Sequence, residues 1–511
     1  MRLALWAQVQ PEVLAVQSQA GDRTFGELNA NSNRLVRALR ARGLREGDGV
    51  AVVCSNRPEF AEVVHACLRA GLRYTPVNWH LTPDEVAYIV GDCQAKALFG
   101  DARFADLMMK TADLSPNATV RLAIGGEIAG FESYEVAVAE QDGGDISDPK
   151  AGFRMLYTSG TTGRPKGVVR QLNYSTGLTA LTSAPKYGPG KGQLNLCTGP
   201  MHHGGPLVYS MTVPISQGVG TVLMDQWDAA EALRLIETHR ITHTHLVPTM
   251  FHRMLRLPED VRRSADVSSM QYIAHGAAPC AVATKKAMID WFGPIIWEYY
   301  AATEGGGTSV SPQEWLQKPG TVGKPITDDH VKILDDEGSV CPPNQPGTIY
   351  LKVLEGSDFS YFNDPAMSKS AHRGTHFTVD DVGYLDEDGF LFLTDRSADL
   401  IVRGGVNIYP AEAEAVLLQH PAVRDAAVVG VPDAEWGEEV KGAVELGAAP
   451  SDPAALAQEL IEFCRARLAH FKCPRSIDFV DRLPRSENGK LYKRRLREGY
   501  RADAPATPRA R

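Results

Sequence analysis

Tyr157-Thr158-Ser159-Gly160-Thr161-Thr162-Gly163-Arg164-Pro165-Lys166-Gly167-Val168 is the stretch from which the rest of the chain can be read. It gathers four aliphatic hydroxyls, three glycines, an arginine and a lysine. Glycine lets a backbone turn tightly and bring its N–H groups close to an anion. Hydroxyls add donors, and Lys and Arg add charge. Together they describe a loop that grips a polyphosphate. The common P-loop places four residues between two glycines and then Gly-Lys-Ser/Thr. Here Pro165 precedes Lys166 and Gly167 follows it, so the grip is of another kind. A flexible surface linker would have no use for cations among its hydroxyls.

At 511 residues the chain exceeds one ordinary core, and two or more domains are expected. A hydrophobic content of 43% with 23% charged residues is that of a soluble globular protein. The net charge of −9 argues against general nucleic-acid binding. The eight cysteines are scattered with no Cys-x-x-Cys, which reads as buried thiols of a reducing compartment rather than a disulfide frame or a zinc site. Gln8, Gln10 and Glu12 interrupt the N-terminus too early for a signal peptide, and no apolar run approaches the roughly 18 residues of a membrane span. A cytoplasmic protein is expected.

The first third alternates helix and strand. Thr24-Phe25-Gly26-Glu27 is a capping box that opens a helix to about residue 39, and Thr82-Pro83-Asp84-Glu85 is a second one with proline at the first helical position. Residues 50–54 and 96–99 read as strands, and residues 58–68 as a helix ended by Gly71. Such alternation implies parallel sheets covered by helices. Residues 141–149 are a loop. Residues 228–237 read as helix and 241–247 as strand, with His243 and His245 on one face; ordinary strand polarity explains them better than a metal site. Residues 320–354 carry Gly/Pro turns and short β-prone runs, a compact β module. Beyond Asp395-Arg396-Ser397 the pattern becomes a small α+β unit, with helices at 410–419 and 452–468 and strands at 426–429 and 441–446. The expected fold is thus α/β: a large N-terminal domain, residues 1–395, of parallel-sheet αβα subdomains plus a β module, and a small mobile C-terminal α+β domain, residues 396–501. The tail, residues 502–511, reads as disordered.

Five more segments bear chemistry. Tyr299-Tyr300-Ala301-Ala302-Thr303-Glu304-Gly305-Gly306-Gly307 offers an aromatic face for a base and a carboxylate for a hard cation shared with phosphate oxygens. His275-Gly276-Ala277-Ala278-Pro279 is a run of small residues. Pro200-Met201-His202-His203-Gly204-Gly205-Pro206 carries a histidine pair. Phe377-Thr378-Val379-Asp380-Asp381-Val382-Gly383-Tyr384 runs toward Asp395-Arg396-Ser397-Ala398-Asp399, with Gly404-Gly405 beyond. Pro484-Arg485-Ser486-Glu487-Asn488-Gly489-Lys490 lies near the end.

With the opening stretch, these segments resemble in order the signatures of the adenylate-forming superfamily: acyl-CoA synthetases, luciferases and the adenylation domains of peptide synthetases. The resemblance runs from residue 157 to residue 490 and is closest to fatty acyl-CoA synthetases. It implies ATP, Mg²⁺ and coenzyme A. Thr158, Ser159, Gly160, Thr161, Thr162, Gly163 and Lys166 would surround the phosphates, and Glu304 with Thr161 the metal. Tyr300 would stack on adenine beside Gly276, Ala277 and Ala278, with Thr303 next to Glu304. Asp381 would accept the ribose hydroxyls, and Arg396 would reach the ribose and α-phosphate. Ala398 falls at the family's hinge, Gly404 and Gly405 at its pantetheine tunnel, and Lys490 at its catalytic lysine. The gate maps to His203, where amino-acid-activating relatives place an aspartate. Without that counter-charge, a neutral acid with an apolar body is favoured over an amino acid.

Val247, Thr249, Gly276, Ala301, Ala302 and Gly305, with His203, are candidates for the acid's slot, and the triple glycine reads as space for a wide substrate. The chain departs from the family pattern at Ala301, Asp380 and Ala398. The implied activity is formation of an acyl-adenylate and then an acyl-CoA from a fatty or other hydrophobic carboxylic acid. The rivals are delivery to a carrier protein, a luciferase-like oxygenase and an inactive binding homologue. A homodimer is compatible with the resemblance.

Overall fold

A computed structural model of the chain describes residues 2–158, 165–170, 187–188, 192–335, 337–354, 356–396, 399–403, 406–433, 436–485 and 491–502. Two large sheets dominate. The first runs, edge to edge, Gly307–Val310, Ile296–Ala301, Tyr272–His275, His243–Leu246, Leu194–Cys197, Gly220–Leu223, Leu14–Ser18 and Gly21–Thr24. Its inner pairs are parallel, and each edge closes with an antiparallel partner. The second runs Phe359–Tyr361, Lys166–Arg170, Phe153–Thr158, Arg73–Pro76, Gly49–Val53, Ala95–Asp101, Val120–Ile124 and Glu132–Ser133. It is parallel except where Phe153–Thr158 turns back as Lys166–Arg170 and accepts Phe359–Tyr361.

Composition explains this arrangement. Gly49–Val53 is buried at every position, as expected of a parallel strand covered on both faces. The flanking helices start where predicted. Thr24 caps Phe25–Ala41 and Thr82 caps Pro83–Asp92, each with the reciprocal bond in which its N–H donates to the glutamate at the third helical position. Pro58–Ala70 ends at Gly71, whose φ of 75° is left-handed. The expected strand at 241–247 stops at Leu246 because Pro248 takes the first position of the next helix and makes Val247 its N-cap. The aromatic run at 291–300 divides at Gly293 into a helix end and a strand. Phe25, Phe60, Val64 and Tyr74 share one buried core with Met201, Leu207, Ile215 and Leu223, so the seam between the two sheets is itself the main core.

The β module is a small antiparallel sheet of Val331–Leu334, Gly347–Lys352, His372–Arg373, His376–Phe377, Asp381–Leu385 and Leu391–Arg396. The C-terminal unit has its own core around a fourth sheet. There Val423–Asp433 and Gly437–Leu446 form a long hairpin flanked by Ile401–Arg403, Val406–Ile408 and Ser476–Phe479 and covered by helices Pro410–Leu417 and Pro453–Arg465. It touches the N-terminal part through helix Pro248–Leu255. His252 Nε2 lies 3.0 Å from the Arg424 carbonyl, and the Arg256 guanidinium donates to that of Val423. Among the described residues no helix is long and apolar enough to cross a membrane.

Candidate functional site

The parallel strands of both sheets end around one cavity of about 1230 Å³. Ligand sites of α/β folds gather at such carboxyl ends. Of the residues singled out in the sequence, Thr158, Lys166, His203, Val247, Ala277, Ala301, Ala302, Thr303, Glu304, Gly305 and Asp381 line it. They come from both sheets, the loops after them and the β module. Thr249, Gly276, Ala278 and Tyr300 are not among its lining residues. Ser159, Gly160, Thr161, Thr162, Gly163, Ala398, Gly404, Gly405 and Lys490 lie outside the described residues.

Glu304 is linked to the hairpin that carries the loop through Tyr361. It is 6% exposed, and its Oε1 accepts a hydrogen bond of 2.9 Å from the Tyr361 hydroxyl. The Tyr361 ring faces Lys166, whose Nζ lies 5.7 Å from the ring centroid. Burial and the Glu304 charge hold the Tyr361 phenol far above its usual range, so it remains a donor. Sequence reasoning missed Tyr361. It sits in a three-residue strand and meets Lys166–Arg170 by long-range pairing, which no local pattern reports.

Tyr300 is buried, and its hydroxyl donates to Asp381 Oδ2 at 2.8 Å. Asp381 opens a strand and is directly opposite Arg396 in the neighbouring one. The preceding Asp380, which stands where the family pattern has glycine, has φ of 62°. Aspartate tolerates this left-handed conformation better than most residues, so the departure keeps the turn rather than breaking it. Its N–H is held by Thr378 Oγ1 at 3.0 Å.

Two glycines prove to have a different purpose from the one expected. A Cβ on Gly276 would stand 2.6 Å from the Tyr299 carbonyl and 2.8 Å from its ring. A Cβ on Gly305 would stand 2.4 Å from Phe377 Cζ. At these two positions the missing side chain makes room for a protein ring, whereas a Cβ on Gly306, which lines the cavity, would meet nothing closer than 4.0 Å.

A second wall of the cavity is aromatic and neutral. His203 is followed by a π-helical stretch, Pro206–Thr212, a geometry found often at functional sites. From it Val208, Tyr209 and Thr212 reach the cavity. The Tyr209 ring stacks on Tyr299 at 4.8 Å and on His245 at 5.5 Å, and His245 Nε2 lies 2.9 Å from the Tyr299 hydroxyl. Burial pushes His245 down to about 3, so its imidazole is neutral. His202, beside His203 at 4.4 Å between ring centroids, is likewise driven well below its usual value by burial. His243 points from the same strand face as His245 toward Tyr187, 4.3 Å between centroids. Among the described residues no three His, Cys, Asp or Glu side chains are grouped to hold a metal. Among the described lining residues Glu304 is the buried carboxylate, the group that would hold a hard cation shared with phosphate oxygens.

In the C-terminal unit, Arg485 makes two bonds to Asp425, 2.6 and 2.8 Å, and bridges Leu491. The ends of the segment that carries Lys490 are therefore fixed, and Tyr492, two positions beyond it, lines the cavity.

With this geometry, comparison with known proteins is informative. Residues 3–353 match the model of AMP-binding enzymes, and residues 412–490 match that of the AMP-binding enzyme C-terminal domain. The chain is 32% identical to a 2-succinylbenzoate–CoA ligase of Bacillus licheniformis, covering 96% of this chain and 98% of that one. It is 31% identical to the fatty acid–[acyl-carrier-protein] ligase ScoC of Streptomyces coeruleorubidus, covering 98% and 95%, and to the long-chain-fatty-acid–CoA ligase FadD13 of Mycobacterium tuberculosis, covering 98% of each. The crystal structure of the anthranilate CoA ligase AuaEII with anthranoyl-AMP superposes with a TM-score of 0.88 at 25% identity, covering 98% and 97%. The chain belongs to the AMP-binding enzyme family, the adenylate-forming class that its fold and motifs describe.

Proposed function

We propose that the chain is an ATP-dependent acid–CoA ligase. The observation that carries this reading is the convergence of Thr158, Lys166, His203, Ala277, Glu304 and Asp381, from five separate segments, on one cavity. In the first step a substrate carboxylate oxygen attacks the α-phosphorus of ATP, giving acyl-adenylate and releasing pyrophosphate. Residues 158–166 hold the phosphates, Asp381 the ribose, and Ala277 with Tyr300 the base. Lys490 stabilises the charge that develops on the phosphoryl oxygens. Glu304 would hold Mg²⁺, which supplies charge neutralisation at the phosphates. In the second step the CoA thiol attacks the acyl carbon and AMP leaves. The C-terminal domain, residues 396–501, turns about Ala398 between the steps and brings Gly404 and Gly405 to the cavity; residues 1–395 form the other domain and 502–511 a tail. A cytoplasmic setting accords with the eight free cysteines.

The acid itself would lie against His203, Tyr209, His245, Val247 and Tyr299. Among the described residues this wall is largely aromatic, and it holds no carboxylate to pair an ammonium. It favours a carboxylic acid with an apolar or aryl body over an amino acid. The named relatives act on aryl and fatty acids, and one delivers to a carrier protein.

The test is a panel of aryl and fatty acids assayed for AMP formation with CoA and, separately, with an acyl-carrier protein. CoA-dependent AMP formation is expected; carrier dependence alone would replace CoA as the acceptor. Lys490→Ala should abolish adenylation and largely spare thioester formation from supplied acyl-adenylate. Equal loss of both half-reactions would remove Lys490 from the first step.

A further inference from the structure

The cavity wall also carries a basic pair outside the motif residues. Arg154 and Arg170 line it. They lie on the antiparallel strands Phe153–Thr158 and Lys166–Arg170, whose register sets Leu156 opposite Val168 and Thr158 opposite Lys166. One further step sets Arg154 opposite Arg170, so the two guanidinium groups issue from the same sheet face as Lys166. Four residues of strand separate them from the phosphate grip, about 13 Å.

Two like charges side by side in a half-buried site are costly unless something negative joins them. Among the described residues neither arginine forms an ion pair or hydrogen bond, and Arg170 Nε is buried without a partner. Burial, reinforced by the Arg154 charge and opposed by the smaller pull of Glu304, brings Arg170 down to about 10, which still leaves it cationic at neutral pH. Residues 159–164 and 171–186, the stretches on either side of the second strand, contain no Asp or Glu.

A second observation points the same way. His65 lines the cavity, is only 8% exposed, and its Nε2 has no partner among the described residues. Tyr74, on the strand that pairs with Arg154, lines it as well. Among the described residues the cavity therefore contains two cations without an ion pair, only one of them within reach of a carboxylate charge, that of Glu304, and an imidazole nitrogen without a partner.

We infer that Arg154 and Arg170 form an anion subsite that receives a second acidic group, a carboxylate, at the far end of the acid being activated. The preferred substrate is then a dicarboxylic acid whose apolar or aryl body bridges His203 and the arginine pair. This rests on the reading of the cavity as an acid-activating site. Its selectivity comes from a fork of donors that matches a carboxylate and that a methyl group leaves unpaired.

The experiment compares acids of equal length, one monocarboxylic and one dicarboxylic, over an aliphatic and an aryl series, with the full chain and with Arg170→Gln and Arg154→Gln. The dicarboxylic member of some pair should have the higher kcat/KM, and each variant should reduce that preference by about ten- to a hundredfold. Arg170→Lys should recover part of it. Thermal shift with the dicarboxylate alone gives a readout that needs no turnover. A stabilisation of the wild-type chain that Arg170→Gln loses supports the subsite. A preference untouched by both variants, or no shift that depends on the arginines, overturns it. Equal loss of stabilisation by ATP or by inorganic phosphate in the same variants would assign the pair to phosphate instead and also overturns it. Absence of CoA-dependent AMP formation from every acid, with the arginine-dependent shift intact, would count against the ligase reading and not against the subsite.

Discussion

Lys285 and Arg170 are both cations on the large N-terminal part of the chain, one fully buried and one half-buried, and their surroundings could hardly differ more. Lys285 is fully enclosed. Its Nζ lies 2.7 Å from Glu298 Oε2 and 4.7 Å from the centroid of the Trp315 ring, and His275 Nε2 approaches the same carboxylate oxygen at 3.3 Å. Burial raises the Glu298 carboxyl, but His275 and Lys285 outweigh it and hold it below its usual range. The cluster ties helix Val282–Phe292 to the strands that end at His275 and Ala301. Its cation has a carboxylate of its own within the scaffold. Arg170 is half-buried and has no ion pair among the described residues; only the Glu304 charge acts on it. A buried cation with its own carboxylate is part of the scaffold; one held beside a like charge at a cavity wall has room for a further anion.

Four measurements would break or sharpen that contrast. Acid should have the largest effect. His65 and His245 are pushed down to about 3 and His243 to about 4, each chiefly by burial. Their unfolded value is about 6.5, so the unfolded chain binds more protons as pH falls from there toward 4. Stability is intact above about 6.5 and is lost below it, by about 2 kcal/mol per histidine at pH 5. A Tm that stays flat between pH 7 and pH 5 would show that these rings are not held neutral. Next, Lys285→Met strands Glu298 in the interior and should cost about 3–5 kcal/mol in urea unfolding; a cost near zero would make the cluster dispensable. Gly305→Ala should cost about 1–3 kcal/mol, because the Phe377 ring must move, and it should slow pyrophosphate exchange by displacing Glu304. Arg170→Met should be the mildest: within about 0.5 kcal/mol, or stabilising, since it removes a charge that has no ion pair among the described residues. A loss as large as that of Lys285→Met would mean that Arg170 has a structural partner and would erase the contrast.

Much of this was legible in the sequence because it is local. Capping boxes, Pro at a first helical position and a glycine after a helix each name a boundary through neighbours a few residues apart, and Phe25–Ala41, Pro83–Asp92 and Pro58–Ala70 followed them closely. Motif order placed Lys166, Glu304 and Asp381 around one cavity for the same reason. What escaped was set by long-range packing. Tyr361 comes to Glu304 from 57 positions away. Tyr299 and Phe377 occupy the space that Gly276 and Gly305 leave, so small residues that looked like room for a ligand were room for a ring. Arg154 and Arg170 belong to no motif, and only the strand register puts them on one face. Asp380 looked like a blemish in a glycine motif, and only its φ of 62° shows that the turn survives.

The pairing of Phe359–Tyr361 with Lys166–Arg170 also bears on how the chain is made. During synthesis the hairpin that carries the phosphate grip emerges first, as an unprotected sheet edge with open N–H and C=O groups. Its covering strand lies about 190 residues later, a wait of roughly 10–40 s at ordinary ribosomal speed. Through that interval the nascent N-terminal sheets have a sticky margin and an incomplete nucleotide site. A chaperone that holds strand edges, or a slow stretch of codons placed after residue 361 rather than before it, would shorten the hazard.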